Sequence, residues 1–283
     1  MKKSFIAMVI LEVLGIFIFS GCTSISAEKK LTNSDKALQV LNSLESGDPA
    51  AFEIWVSEDS YTQHNLTFPD GRQTVLDALP SLKKAGTTVE IKRVITDGDF
   101  VALHSAYNLF GEKAGFDIFR FENGVIVEHW DNLSSITAAN PSGHTQLDGS
   151  IVIKDRELTD QNRSLVKNFV NDVLIGKNPG NITKYFDGDK YIQHNSGIAD
   201  GLSGLGTALA FMAEAGVTMT YDETHMVIAE GNFVLTVSEG SFAAEHTSFY
   251  DLFRVENGFI AEHWDIIETI IPESERANTN GKF

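Results

Sequence analysis

Phe116–Asp131 reads FDIFRFENGVIVEHWD and Tyr250–Asp265 reads YDLFRVENGFIAEHWD, the same residue at 11 of 16 positions. Upstream, Tyr61-Thr62-Gln63-His64-Asn65 returns as Tyr191-Ile192-Gln193-His194-Asn195, and Asp70-Gly71 returns as Asp200-Gly201. The offset is 130 residues for the first motif and 134 for the hairpin. Solenoid repeats run about 20–50 residues, so this period describes two whole domains. Any function must be argued for one copy and then asked of the other.

Working outward from the hairpin, each copy begins with helices and ends with strands. Ser34 and Asp35 offer N-cap oxygens to a helix carrying Ala37, Leu38, Leu41 and Leu44 at helical spacing, and Gly47 ends it. Asp48-Pro49 opens a second helix, with Pro where its missing N–H does no harm. A third follows Asp70-Gly71 and ends near Gly86. The period then changes from helix to strand. Val89–Thr96 and Phe100–Tyr107 flank Asp97-Gly98, and Gly115–Phe121 and Val125–Asn132 flank Glu122-Asn123-Gly124. Helices first and antiparallel strands after predict an α+β class, with helices on one face of a curved sheet. The expected domains are 34–140 and 157–272, joined by a linker at 141–156 and followed by a polar tail at 273–283.

The N-terminus reads as a targeting signal. Lys2 and Lys3 precede an apolar run from Phe5 to Phe19, and Ser20-Gly21-Cys22 resembles a bacterial lipobox. Residues 1–21 are then a lipoprotein signal peptide, Cys22 the lipidation site and 22–33 a tether. The expected location is the cell envelope, lipid-anchored and extracytoplasmic. Cys22 is the only cysteine, which excludes an intramolecular disulfide and a catalytic thiol in the mature domains. A formal charge of −17 repels nucleic acid and anionic headgroups, so the expected partner is a small apolar ligand or substrate.

The hairpin also carries the chemistry-bearing residues. With a three-residue loop, Asp117 lies opposite His129, and Asp117, Phe119, Phe121, Val125, Val127, His129 and Asp131 share one face. Ile118, Arg120, Ile126, Glu128 and Trp130 share the other, where Arg120 and Glu128 form a cross-strand ion pair. A two-residue loop sets Asp117 opposite Trp130 instead. A carboxylate among Phe and Val has its pKa raised by desolvation, which suits a general acid/base near neutral pH. The competing reading is that Asp117 and His129 only brace the sheet. His104 alternates in phase with Phe100 and Ala102, and His64 and His194 head a short strand.

The pattern Y-x-Q-H-N, D-G, G-D-x-V-x-x-H and D-x-F-R-x-x-N-G-x-I-x-E-H-W-D resembles the SnoaL-like polyketide cyclases of the nuclear transport factor 2-like superfamily, once per copy. That resemblance implies two tandem cone-shaped domains, each a strongly curved antiparallel sheet wrapped around N-terminal helices with a pocket at the open end. It also implies cofactor-free aldol-type chemistry with Asp117 as acid/base, assisted by His104, His64 and His129. The second-copy pocket would hold Asp251, His194 and His263. No cofactor is expected. Metal binding by His64, His104, His129 and Asp117 is the chemical rival, weakened by the lack of a short-spaced ligand pair. Similar cones also serve as non-catalytic binding domains, so a hydrophobic-ligand carrier is the alternative function. Val237 stands where His104 would recur, which makes copy one the better catalytic candidate. The two copies are expected to meet as an intramolecular pseudo-dimer through Trp130 and Trp264.

Overall fold

Helix α1 (Asn33–Ser46) is capped two residues before Ser34, the first of the two caps read from sequence. Thr32 is the N-cap, accepting from the Asp35 N–H, while the Asp35 side chain takes the Thr32 N–H. Gly47 closes the helix in the left-handed region. Then come α2 (Ala50–Trp55), the two-residue β1 (Thr62–Gln63) and α3 (Arg72–Lys84), followed by β2 (Thr88–Asp97), β3 (Phe100–Asn108), β4 (Glu112–Glu122) and β5 (Val125–Ser135). The second repeat has α4 (Thr159–Phe169), β6 (Ile192–Gln193), α5 (Gly201–Glu214), β7 (Met219–Glu230), β8 (Phe233–Phe242), β9 (Glu245–Glu256) and β10 (Phe259–Thr269). This computed structural model describes residues 30–283, and all of these elements belong to one unit, Leu31–Phe283. The segment read as a signal peptide, and Cys22, lie outside the described residues.

The sheets correct the expected cones. Each is an open five-stranded sheet, ordered β1-β5-β4-β3-β2 and β6-β10-β9-β8-β7. The first and last strands of each order do not pair, so neither sheet closes or curls strongly. Nor are they wholly antiparallel: β1 runs parallel to β5, and β6 to β10. The physical reason is that both faces are used. One face lies under the helices, where Ala37, Val40, Leu41, Val75 and Leu79 meet Val101, Leu103, Phe119 and Phe121. The other face of each sheet packs on its counterpart. Phe116, Ile118 and Trp130 from one repeat and Leu235, Tyr250, Leu252, Trp264 and Ile266 from the other form a shared core.

Register explains the hairpin. The turn is two residues, Asn123-Gly124, both at positive φ, and Glu122 pairs with Val125. A bulge then leaves Val127 unpaired, so Arg120 faces Glu128, Phe119 faces His129 and Asp117 faces Asp131. The expected three-residue loop is thus replaced by a shorter turn plus one extra residue. The bulge restores the phase that a two-residue loop alone would have lost, and it carries Ile126 to the helix-covered face.

The segments read as linker and tail are reciprocal arms. After β5 the chain crosses to the second repeat, where Asn140 Nδ2 donates to Gln193 O at 2.6 Å and Ile198 O at 2.9 Å. After β10 it crosses back, and Asn278 Nδ2 donates to Asn65 O and Phe68 O at 2.8 and 2.9 Å. The arms end alike: Thr145 O meets His194 Nδ1 at 2.8 Å, and Gly281 O meets His64 Nδ1 at 2.9 Å.

Candidate active site

The repeated motifs converge on the helix-covered face of each sheet. Asp70 Oδ1 accepts the Gln63 N–H at 2.9 Å, fixing the start of β1 beside β5. Gln63 Oε1 accepts the Asn65 N–H at 2.9 Å, while Gln63 Nε2 donates to the Tyr61 hydroxyl at 3.2 Å. Those two bonds settle which end of the amide is oxygen. That oxygen faces His129 Nδ1 at 3.0 Å, so Nδ1 must carry a proton. The other ring nitrogen, Nε2, lies 3.0 Å from Asp117 Oδ1, and Asp117 Oδ2 accepts the Tyr107 hydroxyl.

With Nδ1–H committed to Gln63, a neutral imidazole would turn its Nε2 lone pair toward a carboxylate. One proton must therefore lie between Nε2 and Asp117, as carboxylate and imidazolium or as carboxylic acid and imidazole. Asp117 and His129 are both buried, and Phe119 stacks on the imidazole at 4.7 Å. Burial also drives the Tyr107 and Tyr61 hydroxyls well above their ordinary range, with Asp117 and Asp131 adding to the effect, so both stay proton donors. Asp131, opposite Asp117, accepts Asn65 Nδ2 at 2.7 Å through one oxygen. Its other oxygen is buried without a hydrogen-bond partner.

The second repeat rebuilds the same couple. Gln193 Oε1 accepts the Asn195 N–H at 2.9 Å and faces His263 Nδ1 at 3.1 Å; His263 Nε2 lies 3.0 Å from Asp251 Oδ1. Asn195 Nδ2 holds Asp265 at 2.7 Å. Burial opposes charge on His263, yet the hydrogen bond it donates to Asp251 and the charges of Asp265 and Asp251 raise its pKa above 6.5. Burial and the Asp251 charge raise that of Asp265.

The tyrosine on the aspartate comes from a different strand in each repeat. Tyr107 is on β3, but Tyr221, 3.3 Å from both Asp251 oxygens, is on β7. The register places Tyr221 beside Gly240, where a Cβ would sit 1.9 Å from Thr220 O. In the first repeat it is Gly115 that makes room, since a Cβ there would meet the Tyr107 ring at 3.3 Å. Two different local solutions deliver one hydroxyl to one carboxylate.

Of the expected site residues, the structure brings together Asp117 with His129 and Asp251 with His263. His104 faces the other sheet: it stacks on Phe116 at 4.3 Å and its Nδ1 accepts from Arg93 at 3.0 Å. Burial and the Arg93 charge hold its pKa well below 6.5, so it is neutral. His64 and His194 stack on Trp130 and Trp264 at 4.7 and 4.5 Å, and their Nε2 atoms bond Glu128 and Glu262. Glu128 also takes Arg120 Nε at 2.6 Å, the cross-strand pair expected from sequence. The contrast between His104 and Val237 therefore concerns the shared core and not the aspartate couples. Sequence reading did not single out Tyr107, Tyr221, Gln63, Gln193, Asp131 and Asp265. Gln63 and Gln193 stood in the repeated motif, whereas the tyrosines left no repeated signal because they sit at unlike positions.

No family model matches the chain, and no curated protein matches it. Among solved structures it is similar to a candidate polyketide cyclase from Bacillus cereus, 19% identical over 36% of this chain and 74% of that one, TM-score 0.33. It is also similar to IdmH, a candidate polyketide cyclase from Streptomyces antibioticus, 18% identical over 37% of this chain and 93% of that one, TM-score 0.32. A candidate ketosteroid isomerase from Kribbella flavida is 15% identical over 41% of this chain and 83% of that one, TM-score 0.33. Each likeness spans roughly one repeat. What this site can do generically is acid/base chemistry through a buried Asp/His cluster in each repeat.

Proposed function

We propose that the protein is a cofactor-independent lyase, isomerase or cyclase acting on a small apolar carbonyl compound. The supporting observation is the 3.0 Å contact between Asp117 Oδ1 and His129 Nε2, held by Gln63 and Tyr107 and repeated in the second repeat between Asp251 and His263. In this reading the carboxylate takes a proton from the carbon next to the carbonyl. The C–H electron pair moves into the carbonyl as an enolate, and the couple, already holding one proton, holds two. Return of the proton to another carbon isomerises the substrate. Alternatively the enolate attacks a second carbonyl, and the new alkoxide takes the proton. The neighbouring Phe119, Phe121 and Leu103 suit an apolar substrate. In the second repeat a cleft of about 530 Å³ reaches Tyr191, the outer end of the Gln193 relay.

The test is incorporation of solvent deuterium at the α-carbon of a panel of apolar ketones and diketones. Exchange above the buffer rate supports catalysis. Saturable binding of the same compounds without exchange supports the second reading, a carrier for a hydrophobic small molecule. That reading is favoured by one observation: every atom of the Asp117–His129–Gln63 chain already has a partner within the protein.

We propose also that the mature chain is anchored to the cell envelope through Cys22. Cys22→Ser should leave the precursor unprocessed or free it from the membrane fraction; normal processing and fractionation would remove the idea.

A further inference from the structure

The arm after β5 is held unusually tightly where it crosses the second repeat. Arg93 Nε donates to Ser150 O at 2.7 Å, and its guanidinium donates to Leu147 O and Asp148 O while stacking on Trp264 at 4.1 Å. Gly149 lies so close to the second sheet that a Cβ would fall 2.2 Å from Glu262 Oε1 and 2.9 Å from the His194 ring. This seats Asp148 and His144 beside His194. The His194 Nδ1 atom is 2.7 Å from Asp148 Oδ1, the two imidazole rings are 5.3 Å apart, and His144 Nε2 is 3.2 Å from Asp200 Oδ2. The ligand atoms of His144, Asp148 and His194 all lie within 4.8 Å of one another.

His194 is fully enclosed, and its two nitrogens face three oxygens. Nε2 lies 2.9 Å from Glu262 Oε1, which is itself fixed because the same carboxylate takes Arg254. The Nδ1 atom faces Asp148 Oδ1 and Thr145 O, so a proton or a metal ion must occupy that side of the ring. Lone pair against oxygen is repulsive, and a cation between them removes the repulsion. A carboxylate holding the far nitrogen of an imidazole is also the usual support of a metal-ligating histidine.

We propose that His144, Asp148 and His194 bind a divalent transition-metal ion, Zn²⁺ by their ligand chemistry, and that the ion clamps the first arm to the second repeat. Two imidazoles and a carboxylate are a zinc-type donor set, with bonds of about 2.0–2.2 Å and the fourth position left to water or to Thr145 O. The first repeat provides an internal contrast. His64 occupies the equivalent place with Nδ1 on Gly281 O, but the next residue of its arm is Lys282, an ammonium that bonds Asp131 O and Glu268. The ligands are unreadable as a motif because two come from the arm and the third from 46 residues further on.

The experiment is calorimetric titration of Zn²⁺ into the chelator-stripped protein, with Co²⁺ as a spectroscopic probe. The wild-type chain should bind Zn²⁺ and melt at a higher temperature with the ion present, and bound Co²⁺ should show visible bands of a tetrahedral site. His144→Ala changes a partly exposed side chain, so the apo melting temperature should hold while Zn²⁺ affinity falls by about tenfold or more. Asp148→Asn should weaken binding similarly. Absence of uptake by the wild type overturns the proposal and leaves His194 as an imidazolium between two carboxylates. Equal affinity in wild type and His144→Ala also overturns it, by placing the ion elsewhere.

Discussion

Asp117→Asn combined with Asp251→Asn should lower α-proton exchange by about 10²–10⁴-fold, the usual contribution of a general acid/base group. Asparagine keeps the shape of the side chain and still accepts the tyrosine hydroxyl, but it cannot take the proton shared with the imidazole. Each single variant should keep roughly half the rate, since both repeats hold the same Asp–His–Gln relay with matching distances. Urea melts of the variants separate lost chemistry from lost folding. If the double variant exchanges as fast as wild type, the aspartates are braces and the carrier reading stands. If Asp117→Asn alone abolishes turnover, the repeats are unequal, as the His104/Val237 difference first suggested.

Trp264→Ala should destabilise the protein by about 3–5 kcal/mol, the range for removing a buried aromatic from a core. Trp264 is fully buried where the two sheets meet, with His194 on one side and Arg93 over its face. Its Nε1 donates to Asp148 O at 2.9 Å, so it also fastens the first arm. Trp130, its repeat partner, is buried as well, but its Nε1 has no partner. Substitution by phenylalanine should separate the two. Trp264→Phe removes one of the two hydrogen bonds to the Asp148 carbonyl, which keeps Arg93, and costs about 1 kcal/mol more than Trp130→Phe, which loses no hydrogen bond. Denaturant unfolding followed by circular dichroism measures both. A Trp264→Ala cost below about 1 kcal/mol would mean that the shared core is not what joins the repeats.

Much of this was legible in the sequence because the chain states its motifs twice. The order of helices and strands, the buried Asp117 and His129, the Arg120–Glu128 pair and the sheet-to-sheet contact through Trp130 and Trp264 all follow from alternation and repetition. The register was misread because a β-bulge has no signature beyond one residue too many. Val127 is as apolar as its neighbours, and only the backbone reveals that it pairs with nothing. The cones were misread because strand order sets closure, and two-residue strands such as β1 carry too few residues to announce an edge. His104 was misassigned for a related reason. Both faces of β3 are buried, so alternation shows that His104 points inward without showing which of two interiors it enters. The two arms read as a linker and a polar tail. Their asparagines bond backbone carbonyls of the opposite repeat.

Ring-nitrogen NMR of the histidines in ¹⁵N-labelled protein reads out the proton shared within each Asp–His couple. His129→Gln and His263→Gln variants assign the two signals. Nδ1 of both rings should be protonated, and Nε2 should carry or share the proton facing the aspartate. Because the His263 pKa is raised, its imidazolium should persist as the pH climbs past 6.5. The stability which that charge lends is present in full below 6.5 and is lost only as the pH passes the raised value. A neutral ring with a bare Nδ1 at His129 or His263 would contradict the account, because the Gln63 and Gln193 relays could not then fix the proton on the aspartate side.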